Sequence, residues 1–416
     1  MTSQPSSRLL VLLFLCCAPL HTNAQRTRRA RTPPKPHAYF TAGQNALNIP
    51  FRFANNLILV EARVNDSAPL RFIFDTGASN TVLDARTAAA LHLRPTGRDS
   101  GNGSAARISV ALTRGVRVRL PGVEVRNLTL ALFPLTEAFS PAFGQQIDGV
   151  IGNDIIKQFV VEMDYAAQQI NLYAPDSYHY AGAGAVLPMT IAGELPFVLL
   201  SLTLPNGTTE TGKFELDSGS TGALLLNTPF VRRHGLLRAV TPTRATNVGG
   251  AGGSAAARIG RLPRITLGPF QFTNTIVRLA QATRGDDASA RYDGTIGGDI
   301  LRRFKFIFDF SRRQAIFEPN AALSEPFEVD MSGLERVGDG ADYKTLLIDD
   351  VDADSPATEA GIKGGETLLA IDGRPVAEFT LEEIHQLLRQ AGRAYLLTLK
   401  RGEQTIQIKL KLRRMI

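Results

Sequence analysis

Two stretches of this chain are near copies of one another, and no other feature constrains its fold as much. One is Phe72-Ile-Phe-Asp-Thr-Gly-Ala-Ser-Asn-Thr-Val-Leu-Asp84. The other is Phe214-Glu-Leu-Asp-Ser-Gly-Ser-Thr-Gly-Ala-Leu-Leu-Leu226. Each runs an apolar segment into an aspartate, a hydroxyl residue and a glycine, with a second hydroxyl two residues later. Asp75 thus answers to Asp217, Thr76 to Ser218, Gly77 to Gly219 and Ser79 to Thr221. A run of β-formers ending in Asp-Thr/Ser-Gly delivers the carboxylate at a tight turn, where glycine permits backbone shapes that other residues resist. Two such turns brought face to face would make a carboxylate pair.

The repetition extends beyond these turns. Asp148-Gly-Val-Ile-Gly-Asn-Asp-Ile-Ile-Lys-Gln-Phe159 is echoed by Asp293-Gly-Thr-Ile-Gly-Gly-Asp-Ile-Leu-Arg-Arg-Phe304, and Gly103-Ser-Ala-Ala-Arg-Ile108 by Gly253-Ser-Ala-Ala-Ala-Arg-Ile259. The offsets barely change: 217 less 75 gives 142, 253 less 103 gives 150, 294 less 149 gives 145, and 309 less 164 gives 145. A period of that size is too long for a solenoid and suits two duplicated lobes. Between the landmarks lie short apolar runs broken by Gly, Pro, Asn and Asp, the all-β pattern. Strands are expected over residues 57–64, 71–74, 116–120 and 124–132, a short helix over 85–92, and glycine-rich hairpins over 98–108 and 247–259.

Composition narrows the setting. Residues 1–24 resemble a secretory signal, with Arg8 before an apolar stretch and Thr22-Asn-Ala24 before a cut site, so the mature chain is expected to be exported, periplasmic or secreted. The apolar stretch is too short to span a bilayer, and nothing later reaches the required length. Both cysteines, Cys16 and Cys17, lie in that signal, which leaves the mature chain without disulfide or thiol chemistry. The formal net charge of +7 comes from 46 basic and 39 acidic residues. Arg8, Arg26, Arg28, Arg29, Arg31 and Lys35 supply six of the 46; the remaining 40 nearly match the acids, which argues against nucleic acid as a partner. The basic, proline-rich residues 25–45 are expected to be a solvated linker or short pro-segment. The six histidines show no metal-ligand spacing, and Gly250-Ala-Gly-Gly-Ser-Ala255 lacks the βαβ unit of a dinucleotide fingerprint, so no metal or cofactor is expected.

With these motifs in view, residues 46–320 resemble an aspartic protease of the pepsin/retropepsin superfamily. That resemblance implies Asp-Thr/Ser-Gly on a loop of each lobe, with Val150-Ile151-Gly152 and Thr295-Ile296-Gly297 as the second turns threading beside them. Thr295 departs from the hydrophobe expected there. It also implies that the two hairpins are flaps; neither carries the pepsin tyrosine, which is closer to a fused retropepsin dimer. Further, it implies that Asp75 and Asp217 are catalytic, that Thr76 and Ser218 bond across the junction, that Ser79 and Thr221 orient the outer carboxylate oxygens, and that Gly77 and Gly219 leave N–H groups near the charge. Beyond Asn320, Ser355-Pro-Ala-Thr-Glu-Ala-Gly-Ile-Lys-Gly-Gly-Glu-Thr-Leu-Leu-Ala-Ile-Asp-Gly-Arg-Pro-Val376 closely resembles a PDZ domain, with Gly365-Glu366 where Gly-Asp is usual. Met331, Ser332, Gly333 and Leu334 lie where PDZ domains keep the loop that receives a peptide carboxylate. A helix over residues 380–391 is expected to open with a capping box.

The expected architecture is therefore mainly β: a bilobal aspartic-protease fold from an internal duplication, with lobes at 46–180 and 181–322, followed by a small α+β PDZ domain at 323–416. Two carboxylates close enough to share a proton cannot both ionise, which suits them to activate water against a peptide carbonyl. The expected activity is that of an exported aspartic endopeptidase acting on polypeptides, with a peptide or protein C-terminus bound at the PDZ domain. The other class is a peptide-binding scaffold that keeps the lobes without turnover. An exported, cysteine-free protease joined to a PDZ domain is expected to be bacterial.

Overall fold

The computed structural model describes residues 35–340 and 342–416. Residues 1–24, expected to be a signal, and the arginines of the basic arm lie outside the described residues. The chain is mainly β, and its two halves repeat one topology strand for strand. In the first half the spatial order is Leu57–Val64, Leu70–Phe74, Gly149–Ile151, Val82–Asp84, Val123–Phe133, Arg107–Leu120, Gly97–Asn102. In the second it is Leu195–Thr203, Thr209–Leu216, Gly294–Ile296, Leu224–Leu226, Phe270–Ala280, Gly253–Leu267, Arg244–Gly250. Both halves place the same two parallel pairs around the Asp-Thr/Ser-Gly loop. In both, the long hairpin strand also returns to pair with the first strand, at Val64↔Val118 and at Leu202↔Ile265.

The lobes join through strands that are themselves duplicates. Val160–Asp164 pairs antiparallel with Phe304–Asp309, from Val160↔Asp309 to Asp164↔Lys305. Asp164 and Asp309 are counterparts, so the local two-fold axis passes between these strands. Gln169–Tyr173 and Gln314–Pro319 flank the pair; Ala185–Pro188 closes one edge, and Asn45–Ala54 carries the sheet on into Leu57–Val64 of the first lobe. Phe304, Phe306, Phe308 and Phe317 are fully buried beneath it, with Phe304 and Phe317 packed edge to face at 5.2 Å between ring centroids. Each such ring contributes roughly 1.5–3 kcal/mol by leaving water, so the junction is held as firmly as a domain core.

Local differences from expectation have physical causes. Part of the segment expected to be a linker is ordered: His37–Phe40 pairs with the strand at Val123–Arg126. Ala38 and Phe40 pack on the core, and Arg126 stacks over the Tyr39 ring at 4.8 Å. The first helix spans Ala85–Ala90, capped by Asp84, whose side chain accepts from the N–H groups of Arg86 and Thr87. A second helix, Leu135–Phe143, is absent from the sequence expectation.

The last domain is a sheet in the order Leu334–Asp339, Thr345–Val351, Thr367–Ile371, Ala394–Arg401, Gln404–Lys411, packed on the helix Leu381–Leu387. Thr380 and Glu383 form both bonds of the capping box. The helix is shorter than the expected 380–391: after Leu387 the backbone turns to tighter bonds, Arg389 N–H to Gln386 and Gln390 N–H to Leu387, and the Tyr395 hydroxyl also donates to the Leu387 carbonyl. This domain sits directly on the lobes. Asn55 N–H donates to Glu382 at 2.7 Å, Arg261 pairs with Glu328 at 3.1 Å, and Arg244 pairs with Asp352.

Candidate active site

Buried strands end where the site begins. Leu70–Phe74 and Thr209–Leu216 finish in fully buried residues, and their next residues, Asp75 and Asp217, turn out of the sheet. Each aspartate donates its backbone N–H to the second turn, Asp75 to the Ile151 carbonyl and Asp217 to the Ile296 carbonyl, both at 3.0 Å. Those turns need glycine: a methyl at Gly152 would stand 2.5 Å from the Asn80 carbonyl oxygen, and one at Gly297 would stand 2.4 Å from that of Gly222. Thr295, the departure noted in the second turn, is fully buried.

Across the junction the two loops hold each other reciprocally. The Thr76 N–H donates to Ser218 Oγ and the Ser218 N–H to Thr76 Oγ1, each at 3.0 Å. Each hydroxyl then donates to a carbonyl of the opposite lobe, Thr76 to Leu216 and Ser218 to Phe74, both at 2.8 Å. Gly77 and Gly219 donate their N–H groups to their own aspartates' Oδ1 atoms at 2.8 Å. The carboxyls come together over these glycines: a methyl at Gly77 would stand 2.5 Å from Asp217 Cγ, and one at Gly219 would stand 2.3 Å from Asp75 Cγ. The two carboxyls are thus neighbours across the junction, and each alters the other's proton affinity.

Both carboxyls are wholly buried, and burial drives their proton affinity up. Asp75 is pushed to about 7 by burial, with the neighbouring Asp217 and the nearby N–H groups of Gly77, Ala78 and Gly219 limiting the rise. Asp217 is raised well above the ordinary range by burial, by the charge of Asp75 and by Glu215. The pair therefore holds a proton up to neutrality.

The remaining predicted residues are distributed around this centre. Ser79 Oγ donates to the Gly193 carbonyl at 3.1 Å, and the Thr221 carbonyl accepts from Asn56 Nδ2 at 2.8 Å. The two hairpins meet at their tips, where a methyl on Gly103 would overlap the Ala251 carbonyl oxygen. Asp286 and Asp287 of the second lobe donate their N–H groups to the Gly103 and Ser104 carbonyls of the first hairpin, at 3.1 and 3.2 Å. In the PDZ domain, Met331, Ser332 and Leu334 are buried, Gly333 takes a φ of +80°, and Ser332 Oγ accepts the Leu334 N–H at 3.0 Å. Leu334–Asp339 is the edge strand of its sheet, with the Leu135–Phe143 helix of the first lobe against it.

Two participants are absent from the sequence expectation. Asn153 follows the second turn and donates to the Thr76 and Glu194 carbonyls at 2.7 and 2.9 Å; its counterpart Gly298 approaches the Asn56 carbonyl too closely for any side chain. Arg278 stands beside Leu225 as Leu132 stands beside Leu83, so one lobe has arginine where the other has leucine. Among the described residues no group of three or more His, Cys, Asp or Glu side chains is arranged to hold a metal. No helix among them is long and apolar enough to cross a membrane.

Comparison with known proteins agrees with this geometry. Residues 60–155 and 200–300 match the aspartyl protease family, and residues 347–401 match the PDZ domain family. A probable CtpA-like serine protease of Staphylococcus haemolyticus (strain JCSC1435) is 36% identical over 93 residues, which are 21% of this chain. The match spans 18% of that relative's length. Both lobes of this chain are thus similar to the aspartyl protease family, and its last domain to the PDZ domain family.

Proposed function

We propose that this chain is an exported endopeptidase of the aspartic type, with Asp75 and Asp217 as its catalytic pair. The ionised carboxyl takes a proton from a water molecule, whose oxygen adds to the peptide carbonyl carbon. The protonated carboxyl donates to the carbonyl oxygen as charge gathers there. The amine then leaves with a proton, and the pair returns to its singly protonated state. A base positioned in this way contributes about 10²–10⁴-fold. The observation that carries the reading is the reciprocal seating of each carboxyl against the opposite lobe's glycine, with both so buried that a proton is retained. Thr76, Ser218, Gly77 and Gly219 fix that seating. Export rests on the character of residues 1–24.

The PDZ domain supplies recognition of a substrate or partner peptide, which adds as a strand at the Leu334–Asp339 edge with its carboxylate toward the loop of Met331, Ser332, Gly333 and Leu334. The Leu135–Phe143 helix must give way for that strand. Cleavage of unfolded casein from acid to neutral pH, with and without a statine-type inhibitor, tests the enzymatic reading. Asp75→Asn and Asp217→Asn each abolish cleavage while the circular dichroism spectrum is retained. Unchanged cleavage by both variants overturns the assignment.

A further inference from the structure

Between the second lobe and the PDZ domain lies a cavity of about 140 Å³, roughly ten times the space one water needs. Thr221, four residues after Asp217, lines it, as do Thr246 and Asn247 of the second hairpin and Leu334 of the PDZ loop. Its walls carry four arginines, Arg244, Arg278, Arg336 and Arg389, against three acids, Asp330, Glu335 and Asp352. Arg244 pairs with Asp352, and Arg336 with Asp330 at 2.9 Å. That leaves Arg278 and Arg389 opposite Glu335 alone, an excess of one positive charge.

Arg278 is the unusual member. It is only 7% exposed, its Nε has no hydrogen-bond partner, and no carboxylate lies within ion-pair distance of it among the described residues. Burial and the neighbouring Arg244 lower its pKa to about 10, so it remains a cation at neutral pH. A buried guanidinium with no carboxylate in direct contact is costly, and only the more distant charge of Asp299 offsets its burial and the repulsion of Arg244 and Arg389. The duplication shows that the fold does not require it, since Leu132 fills the same place in the first lobe. Arg278 lies against the turn that follows Asp217: a methyl at Gly222 would stand 2.2 Å from its Nη1.

We propose that Arg278 and the cavity it faces form a carboxylate-binding subsite, so that a polypeptide in the cleft places an acidic side chain or its own C-terminal carboxylate there. The inference rests on the cleft being a peptide site, and the planar guanidinium is suited to grip a carboxylate through two bonds. A charge-assisted hydrogen bond of this kind corresponds to about tenfold or more in affinity.

The test reads binding rather than turnover. The full chain carrying Asp75→Asn and Asp217→Asn is titrated into three fluorescein-labelled peptides of one sequence: an internal Glu with an amidated end, Gln in its place with an amidated end, and that Gln peptide with a free carboxylate. About tenfold tighter binding of the Glu peptide, or of the free-carboxylate peptide, is expected over the neutral one, and which of them gains identifies the source of the carboxylate. Adding Arg278→Leu equalises the three, and Arg278→Lys, which keeps the charge, retains part of the preference; thermal melting checks that each variant is folded. Equal binding of all three peptides by the parent overturns the proposal. So does a preference that survives Arg278→Leu, which would belong to the PDZ loop. A chain that cannot cleave peptides yet shows the Arg278-dependent preference leaves the subsite standing and removes the enzyme; cleavage with no acidic preference does the reverse.

Discussion

Because the aspartate pair is wholly buried, a substitution that destroys the site should make the protein more stable, chiefly at higher pH. Asp75 is wholly buried and its pKa rises from 3.8 to about 7, chiefly through desolvation. A group whose pKa is raised on folding favours the folded state while protonated, so its stabilising influence is full below the unfolded value and is lost as pH climbs through about 7. A rise of about three pKa units at about 1.36 kcal/mol each makes the ionised carboxyl cost the fold about 4 kcal/mol at pH 8, against about 1 kcal/mol at pH 4.5. Asparagine at this position keeps the acceptor for the Gly77 N–H and gains an amide that can donate to Asp217. It also removes one of the charges that raise Asp217. Asp75→Asn is therefore expected to raise the melting temperature of the lobes by roughly 5–10 °C at pH 8, with little change at pH 4.5. Scanning fluorimetry of both proteins across that range measures the difference. An equal gain at the two pH values, or no gain at pH 8, would refute the claim that a buried charge dominates this site.

The reciprocal hydroxyls make a second prediction. Thr76→Ala leaves the Ser218 N–H and the Leu216 carbonyl without partners, and Ser218→Ala leaves the Thr76 N–H and the Phe74 carbonyl. Each orphaned group costs about 1–3 kcal/mol in chemical denaturation. The double variant should lose less than the sum, since the four bonds close one junction. At Gly219, alanine would drive a methyl into the Asp75 carboxyl and force the pair apart. Gly219→Ala should lose casein cleavage and show a lower melting temperature, whereas Gly97→Ala, whose methyl would meet no atom within 4 Å and whose backbone is not left-handed, should keep the activity.

How much of this was legible from the sequence depended on whether a feature was local. The paired loops and the Ile-Gly turns could be read because close backbone approach demands glycine at Gly152 and Gly297, and that demand shows in the letters themselves. The strand Arg107–Leu120 was visible only at its end, residues 116–120, because Gly115 reads as a break. In the sheet Gly115 takes a φ of +72° and the register against Val123–Phe133 slips across it and again between Val116 and Val118, so the strand passes through as a bulge. The Leu135–Phe143 helix was hidden by Pro134 at its cap and Pro141 within it. Arg278 could not be recognised at all, because its meaning lies in parallel pairings that set it against Leu225 in one lobe and Leu132 against Leu83 in the other.

Those pairings point to a more general consequence of fusing two copies. In a symmetric pair of lobes the two aspartates would share identical surroundings, and neither could be favoured as base or acid. Here the copies have diverged where it matters electrostatically. Glu215 is fully buried two residues before Asp217, at the position where the first lobe carries the apolar Ile73. Its charge adds to that of Asp75 in raising Asp217, while nothing comparable acts on Asp75, whose rise comes from burial alone. The two carboxyls therefore sit in unequal surroundings, although the titration belongs to the pair. Arg278 replaces Leu132 on the same side of the junction. The second lobe thus carries a buried acid beside the pair and a buried arginine that the first lobe lacks, an asymmetry that a dimer of identical chains could not encode.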